Sequence, residues 1–157
     1  LATLHASNSY QALNRILTFY PEEVRATLLS DLASGLAAVI SQRLLRTVDD
    51  GRVPACEVLL NTKLVSELIE KGDIFGVKDA MSKSMTEGSQ TFEEDIARLI
   101  RAGVVSREEG LIHADSPTNL MWRLQNTTDP SKTSSVADPV DDSTEPKFSE
   151  ITLDMGE

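Results

Sequence analysis

The sequence predicts an α/β chain: a strand stub, two helices and a hairpin, then a mostly helical region, and an acidic tail without packed structure. Three observations predict this. Apolar residues recur at helical spacing in several segments with capping residues at their starts. Two strand-like stretches flank the turn residues Asp49, Asp50 and Gly51. The composition then changes sharply at residue 127.

Taken in order, Leu1–Leu4 reads as the end of a buried strand. Ser7, Asn8 and Ser9 offer side-chain oxygens to cap a helix whose stripe is Leu13, Ile16, Leu17 and Tyr20, and Pro21 stops it. Pro21-Glu22-Glu23 suits the first turn of a second helix, because acids favour the positive end of the helix dipole. Its stripe is Val24, Leu28, Leu32 and Leu36, with Val39 and Ile40 closing on it. From Gln42 the pattern becomes a hairpin, QRLLRTV and RVPACEVLLN, with Gly51 expected at the positive-φ position of the turn.

Thr62 is expected to cap a helix running to Glu70, ended by Lys71-Gly72, and Asp73–Met85 reads as the next helix. Thr91 with Glu94 three residues later forms a capping box ahead of Phe92, Ile96, Leu99 and Ile100, and Gly103 ends that helix. Ser106 with Glu109 repeats the arrangement, and SPTNLMWRLQ forms a last short helix. These readings divide the chain into residues 1–61, a strand stub with two helices and a hairpin; 62–126, a helical region; and 127–157, the tail.

Charge and composition narrow the chemistry. The 157 residues carry a formal charge of −10, which argues against a nucleic-acid partner, since phosphate binding needs a basic surface. Much of that charge sits in the tail, where eight acids face two lysines among Ser, Thr and Pro. Such a segment cannot bury enough apolar surface to offset its chain entropy, so it is read as disordered. A single cysteine, Cys56, leaves no internal disulfide and no cysteine zinc cage. No apolar run approaches the roughly 20 residues needed to span a bilayer, and a cytoplasmic setting is expected. No Gly-x-x-x-x-Gly-Lys-Ser/Thr loop and no His-Glu-x-x-His helix is present, so these residues alone do not complete an enzyme.

Read together, TLHASNSYQALNRILTFYPEE, ISQRLL, EVLLNTKLVSELIEKG and SQTFEEDIARLIRAGVVSREEGLIHADSP resemble, in order and spacing, the C-terminal half of the PilT/PilU-type twitching-motility ATPases. The ending HADSPTNLMWRL followed by an acidic tail is more similar to the PilU branch. The resemblance covers about residues 1 to 126. It implies a RecA-like P-loop ATPase whose P-loop and Walker B acid lie before Leu1, so that this portion is inactive alone. It also implies ATP and Mg2+ as substrate and cofactor, and a homo-hexamer at the inner-membrane base of a pilus. The partners it implies are a PilT-like paralogous ATPase and the inner-membrane platform protein.

Within that resemblance the family's histidine box falls on His5, near the nucleotide's γ-phosphate. Arg15 matches the arginine of the following helix, where a guanidinium stabilises phosphate charge or a subunit contact. Arg43 matches a further recurrent arginine and is the candidate cofactor-binding residue, with pairing in the hairpin or at a subunit interface as the plainer role. In LVSELIEK, Ser66 and Glu70 stand where the family's Ala-Ile-Arg-Asn-Leu-Ile-Arg-Glu motif has arginines, so roles resting on those charges do not carry over. Without motif support, His113 reads as a surface or capping residue, Cys56 as core, Gln90 and Thr91 as capping and packing, and Trp122 as an anchor of the last helix. Two other functions stand beside retraction. A pilus-assembly or type II secretion ATPase is disfavoured, because those relatives usually carry a four-cysteine zinc insertion where this chain reads RTVDDGRVPACEV. A non-enzymatic helical adaptor would use the acidic tail for docking.

Overall fold

The computed structural model describes residues 1–83 and 86–126. The tail expected from residue 127, and the end of the helix expected to reach Met85, lie outside the described residues.

Helix α1, Ser9–Thr18, starts where Asn8 caps it: the Asn8 Oδ1 accepts from the Gln11 N–H at 3.0 Å. After Pro21 a single 3₁₀ turn, Glu22–Val24, leads into α2, Arg25–Gly35. The strands β1, Ala38–Arg46, and β2, Arg52–Leu60, form an antiparallel hairpin running from Ala38 opposite Leu60 to Arg46 opposite Arg52. Helices α3, Lys63–Glu70; α4, Ile74–Ser82; α5, Phe92–Arg101; α6, Arg107–His113; and α7, Pro117–Asn126 follow. Thr62, Asp73, Thr91 and Ser106 cap α3 to α6, and Thr91 with Glu94 completes the capping box. Gly72 and Gly103 take positive φ just beyond α3 and α5, where the left-handed conformation frees a helix end from continuing.

Three sequence expectations change. Residues 1–4 form no strand and are exposed; among the described residues the only sheet is β1–β2, so no neighbouring strand pairs with their backbone. The second helix ends at Gly35 rather than reaching Val39 and Ile40, which belong to β1. The cause lies in its carbonyls. The Asn61 Nδ2 donates to the C=O of Ala33 (2.9 Å) and of Leu36 (2.7 Å), and the Ser66 Oγ donates to Ala33 at 2.8 Å. Ser66, standing where the family motif has an arginine, thus helps to close α2. Finally, the left-handed residue of the hairpin turn is Asp50 (φ 61°), not Gly51; Asp adopts this conformation more readily than most residues.

Two apolar cores lie against the hairpin. Leu13, Ala33, Leu59, Val65, Ile69, Ile74, Val77 and Met81 form the first, joining α1 to α4 with one end of β2. Leu45, Ala55, Phe92, Ile96, Ala97, Leu99, Val105 and Leu120 form the second, joining the other end of the hairpin to α5 and α7. Each core draws on residues from both sides of position 61. Helix α6 packs closely on α5 at Gly110, where a Cβ would meet the Ile100 Cδ1 at 2.6 Å and the Ile96 Cγ2 at 2.9 Å.

Candidate functional site

His5 and Arg15 meet in one open groove. His5 lies on the irregular segment before α1, and Arg15 lies on the outer face of α1. The Arg15 Nη1 donates to the His5 C=O at 2.9 Å, tying the segment back onto the helix. The groove, about 440 Å³, is lined by His5, Ala6, Gln11, Asn14, Arg15, Thr18 and Phe19. In a chain of charge −10 this lining contains no carboxylate. Its imidazole, guanidinium, amide and hydroxyl groups can all donate hydrogen bonds, a set that suits a phosphate. It does not suit Mg2+ as a direct ligand set, since that ion takes carboxylate and phosphate oxygens.

Arg43 is elsewhere. On β1, its guanidinium donates to the C=O of His113 (2.5 Å) and of Ser7 (3.0 Å), pairs with Asp115, and lies 4.0 Å over the Phe92 ring centroid. The geometry therefore joins three distant stretches: the segment before α1, the hairpin, and the loop between α6 and α7. Asp115 holds the first of these a second time, accepting from the Asn8 Nδ2 at 2.9 Å.

Beside Arg43 stands a group whose importance the sequence reading missed. Glu57 on β2 is 4% exposed. Its Oε1 accepts from both the N–H and the Oγ–H of Ser9, each at 2.7 Å. Burial pushes its carboxyl above the usual range; the Ser9 hydrogen bonds oppose that, Asp115 adds to it, and Arg43 slightly offsets it. The signal was present in the pattern: Glu57 falls in phase with Ala55 and Leu59, the inward positions of β2.

Of the remaining singled-out residues, His113 and Gln90 make local contacts that tie elements together. His113 pairs with Glu109 at 3.1 Å, and that carboxylate also accepts from the Arg46 N–H at 2.9 Å, which holds its pKa low. The Gln90 side chain donates to the Cys56 C=O at 2.9 Å, and its backbone bridges to Val58. Cys56, expected in the core, is only partly buried, and Trp122, expected to anchor the last helix, is 60% exposed. Among the described residues no helix is long and apolar enough to cross a membrane.

No family model matches the chain. It is 40% identical over 126 residues to the type IV pilus ATPase PilU of Pseudomonas aeruginosa, covering 80% of this chain and 33% of that protein. It is 30% identical over 117 residues to the type IV pilus retraction ATPase PilT of the same organism, covering 74% of this chain and 34% of PilT. The crystal structure of the pilus retraction motor PilT with bound ADP superimposes with a TM-score of 0.67 at 25% identity, over 76% of this chain and 33% of that one. The chain thus spans about a third of the length of these relatives. The matches run through most of the described residues in both sequence and fold, and the chain belongs to the PilT/PilU-type ATPase family.

Proposed function

We propose that this chain is the part of a type IV pilus motor ATPase of the PilU kind that presents His5 and Arg15 to the nucleotide. The observation that carries the proposal is their juxtaposition in a groove without carboxylates, within a chain 40% identical to a pilus ATPase. ATP supplies the phosphoryl group that is transferred to water. An imidazole N–H of His5 donates to a phosphate oxygen or holds the attacking water, and the Arg15 guanidinium offsets charge developing on the phosphate. The groove offers no carboxylate, so protein ligands for Mg2+ would have to come from residues outside it.

The rest of the proposal follows from the family. The active assembly is a hexamer in the cytoplasm, at the inner-membrane base of a pilus, working with a PilT-like ATPase on the platform protein. The P-loop and Walker B acid come from sequence outside this chain. Arg43, with its donors turned to Ser7, His113 and Asp115, acts by positioning rather than by touching nucleotide.

The test is steady-state ATP hydrolysis by the complete ATPase that contains this segment. His5→Ala is expected to lower kcat on the order of 100-fold, the usual scale for losing a positioned acid–base or hydrogen-bonding group, with an unchanged thermal midpoint. Turnover equal to that of the parent would remove His5 from the mechanism.

A further inference from the structure

The inward face of the hairpin is interrupted by polar groups. The pair Val39–Leu59 belongs to the first apolar core, and the pair Leu45–Val53 with Ala55 to the second, while Ser41, Glu57 and Arg43 lie between them. On the inward face of β2, position 57 falls between Ala55 of the second core and Leu59 of the first. The sequence places a carboxylate there, 4% exposed, and burying such a group is unfavourable unless its hydrogen bonds are supplied. They are supplied by one residue, Ser9, the first of α1.

Around that contact the start of α1 is fixed at three successive residues. The Ser7 C=O accepts from Arg43, Asn8 donates to Asp115, and Ser9 donates twice to Glu57. His5 lies two residues before the first of these, and Arg15 lies on the helix that begins at the last. His5 and Arg15 are themselves exposed. Their placement relative to the sheet therefore depends on the anchors rather than on burial of their own side chains.

We propose that Glu57 is a positioning residue for the His5–Arg15 groove: through Ser9 it sets the position of α1, and so of both groups, against the hairpin. The inference rests on the reading of that groove as phosphate-facing. Glu57 touches no nucleotide; its influence passes through Ser9 to the two groups that do. Arg43 and Asp115 hold the preceding residues in the same way, and Glu57 is the most buried member of the set.

A double-mutant cycle in the complete ATPase separates positioning from general structural support. Glu57→Ala is expected to lower kcat on the order of tenfold, because displacing reacting groups by about 1 Å carries penalties of that size or larger. In the His5→Ala/Arg15→Ala background the same change is expected to cause no further loss, and Glu57→Gln, which keeps an acceptor oxygen, is expected to recover most of the turnover. If Glu57→Ala gives no cooperative melt, Ser9→Ala takes its place; it removes the Oγ–H bond and keeps the backbone N–H one, so a smaller loss is expected, again absent in the His5→Ala/Arg15→Ala background. Full turnover in a folded Glu57→Ala or Ser9→Ala protein overturns the proposal. So does an equal fractional loss in both backgrounds, which marks a role independent of the groove. Parental turnover in His5→Ala/Arg15→Ala overturns the phosphate-facing reading itself and the positioning role with it.

Discussion

Replacing Arg43 with Ala tests the geometry of this chain most severely, because one side chain ties three segments together. The substitution removes hydrogen bonds to two backbone carbonyls, Ser7 and His113, an ion pair with Asp115, and the stacking on Phe92. Each carbonyl contact contributes about 1 kcal/mol net. The ion-pair side chains are 18% and 20% exposed, partly screened, so about 1 kcal/mol is assigned there. A cation over a buried ring adds about 0.5–1 kcal/mol. Because the contacts share one side chain they are not independent, and a loss of about 3 kcal/mol is expected. Urea unfolding of the 157-residue chain reads the change directly, and for a folded region of this size it corresponds to a thermal midpoint about 10 °C lower. Arg43→Lys keeps the charge but not the planar fork, and should fall between the two. A loss below about 1 kcal/mol for Arg43→Ala would refute the claim that this guanidinium holds the segments together.

Two further substitutions probe local causes. Gly110→Ala places a methyl against Ile100 and Ile96 where α6 meets α5; overpacking of this kind costs about 1–3 kcal/mol, and an unchanged unfolding midpoint would show that the helices separate freely. Glu57 gives a pH signature. Its folded-state pKa is raised above 4.5, so the folded protein binds that proton more tightly than the unfolded chain. Its contribution is therefore fully present below about 4.5 and is lost as pH rises through the raised value, with Arg43 and Asp115 as the charged neighbours. The stability of the parent relative to Glu57→Gln should fall as pH rises from about 4.5, and parallel pH profiles for the two proteins would contradict this.

Most of the element order was legible because its signals are local. Thr62, Thr91 and Ser106 accept from backbone N–H groups three residues ahead, so each helix start is written within four residues of sequence. The end of α2 was not legible, because the groups that close it, Asn61 and Ser66, lie more than two dozen residues away. The Leu1–Leu4 strand failed for a related reason: a strand is defined by its neighbour, and among the described residues it has none. His5 and Arg15 could be singled out through their family motifs, but only the fold of the segment before α1 shows them sharing a groove.

The sequence by itself determined where helices begin, which positions of the hairpin face inward, and which family the motifs resemble; these follow from caps, periodicity and residue order. Tertiary structure alone decided what Arg43, Glu57 and Asp115 do. Each is a charged residue whose hydrogen-bond partners lie 36 to 107 positions away. No local pattern can reveal whether such a charge faces water, a nucleotide or, as here for Glu57, the first residue of a helix.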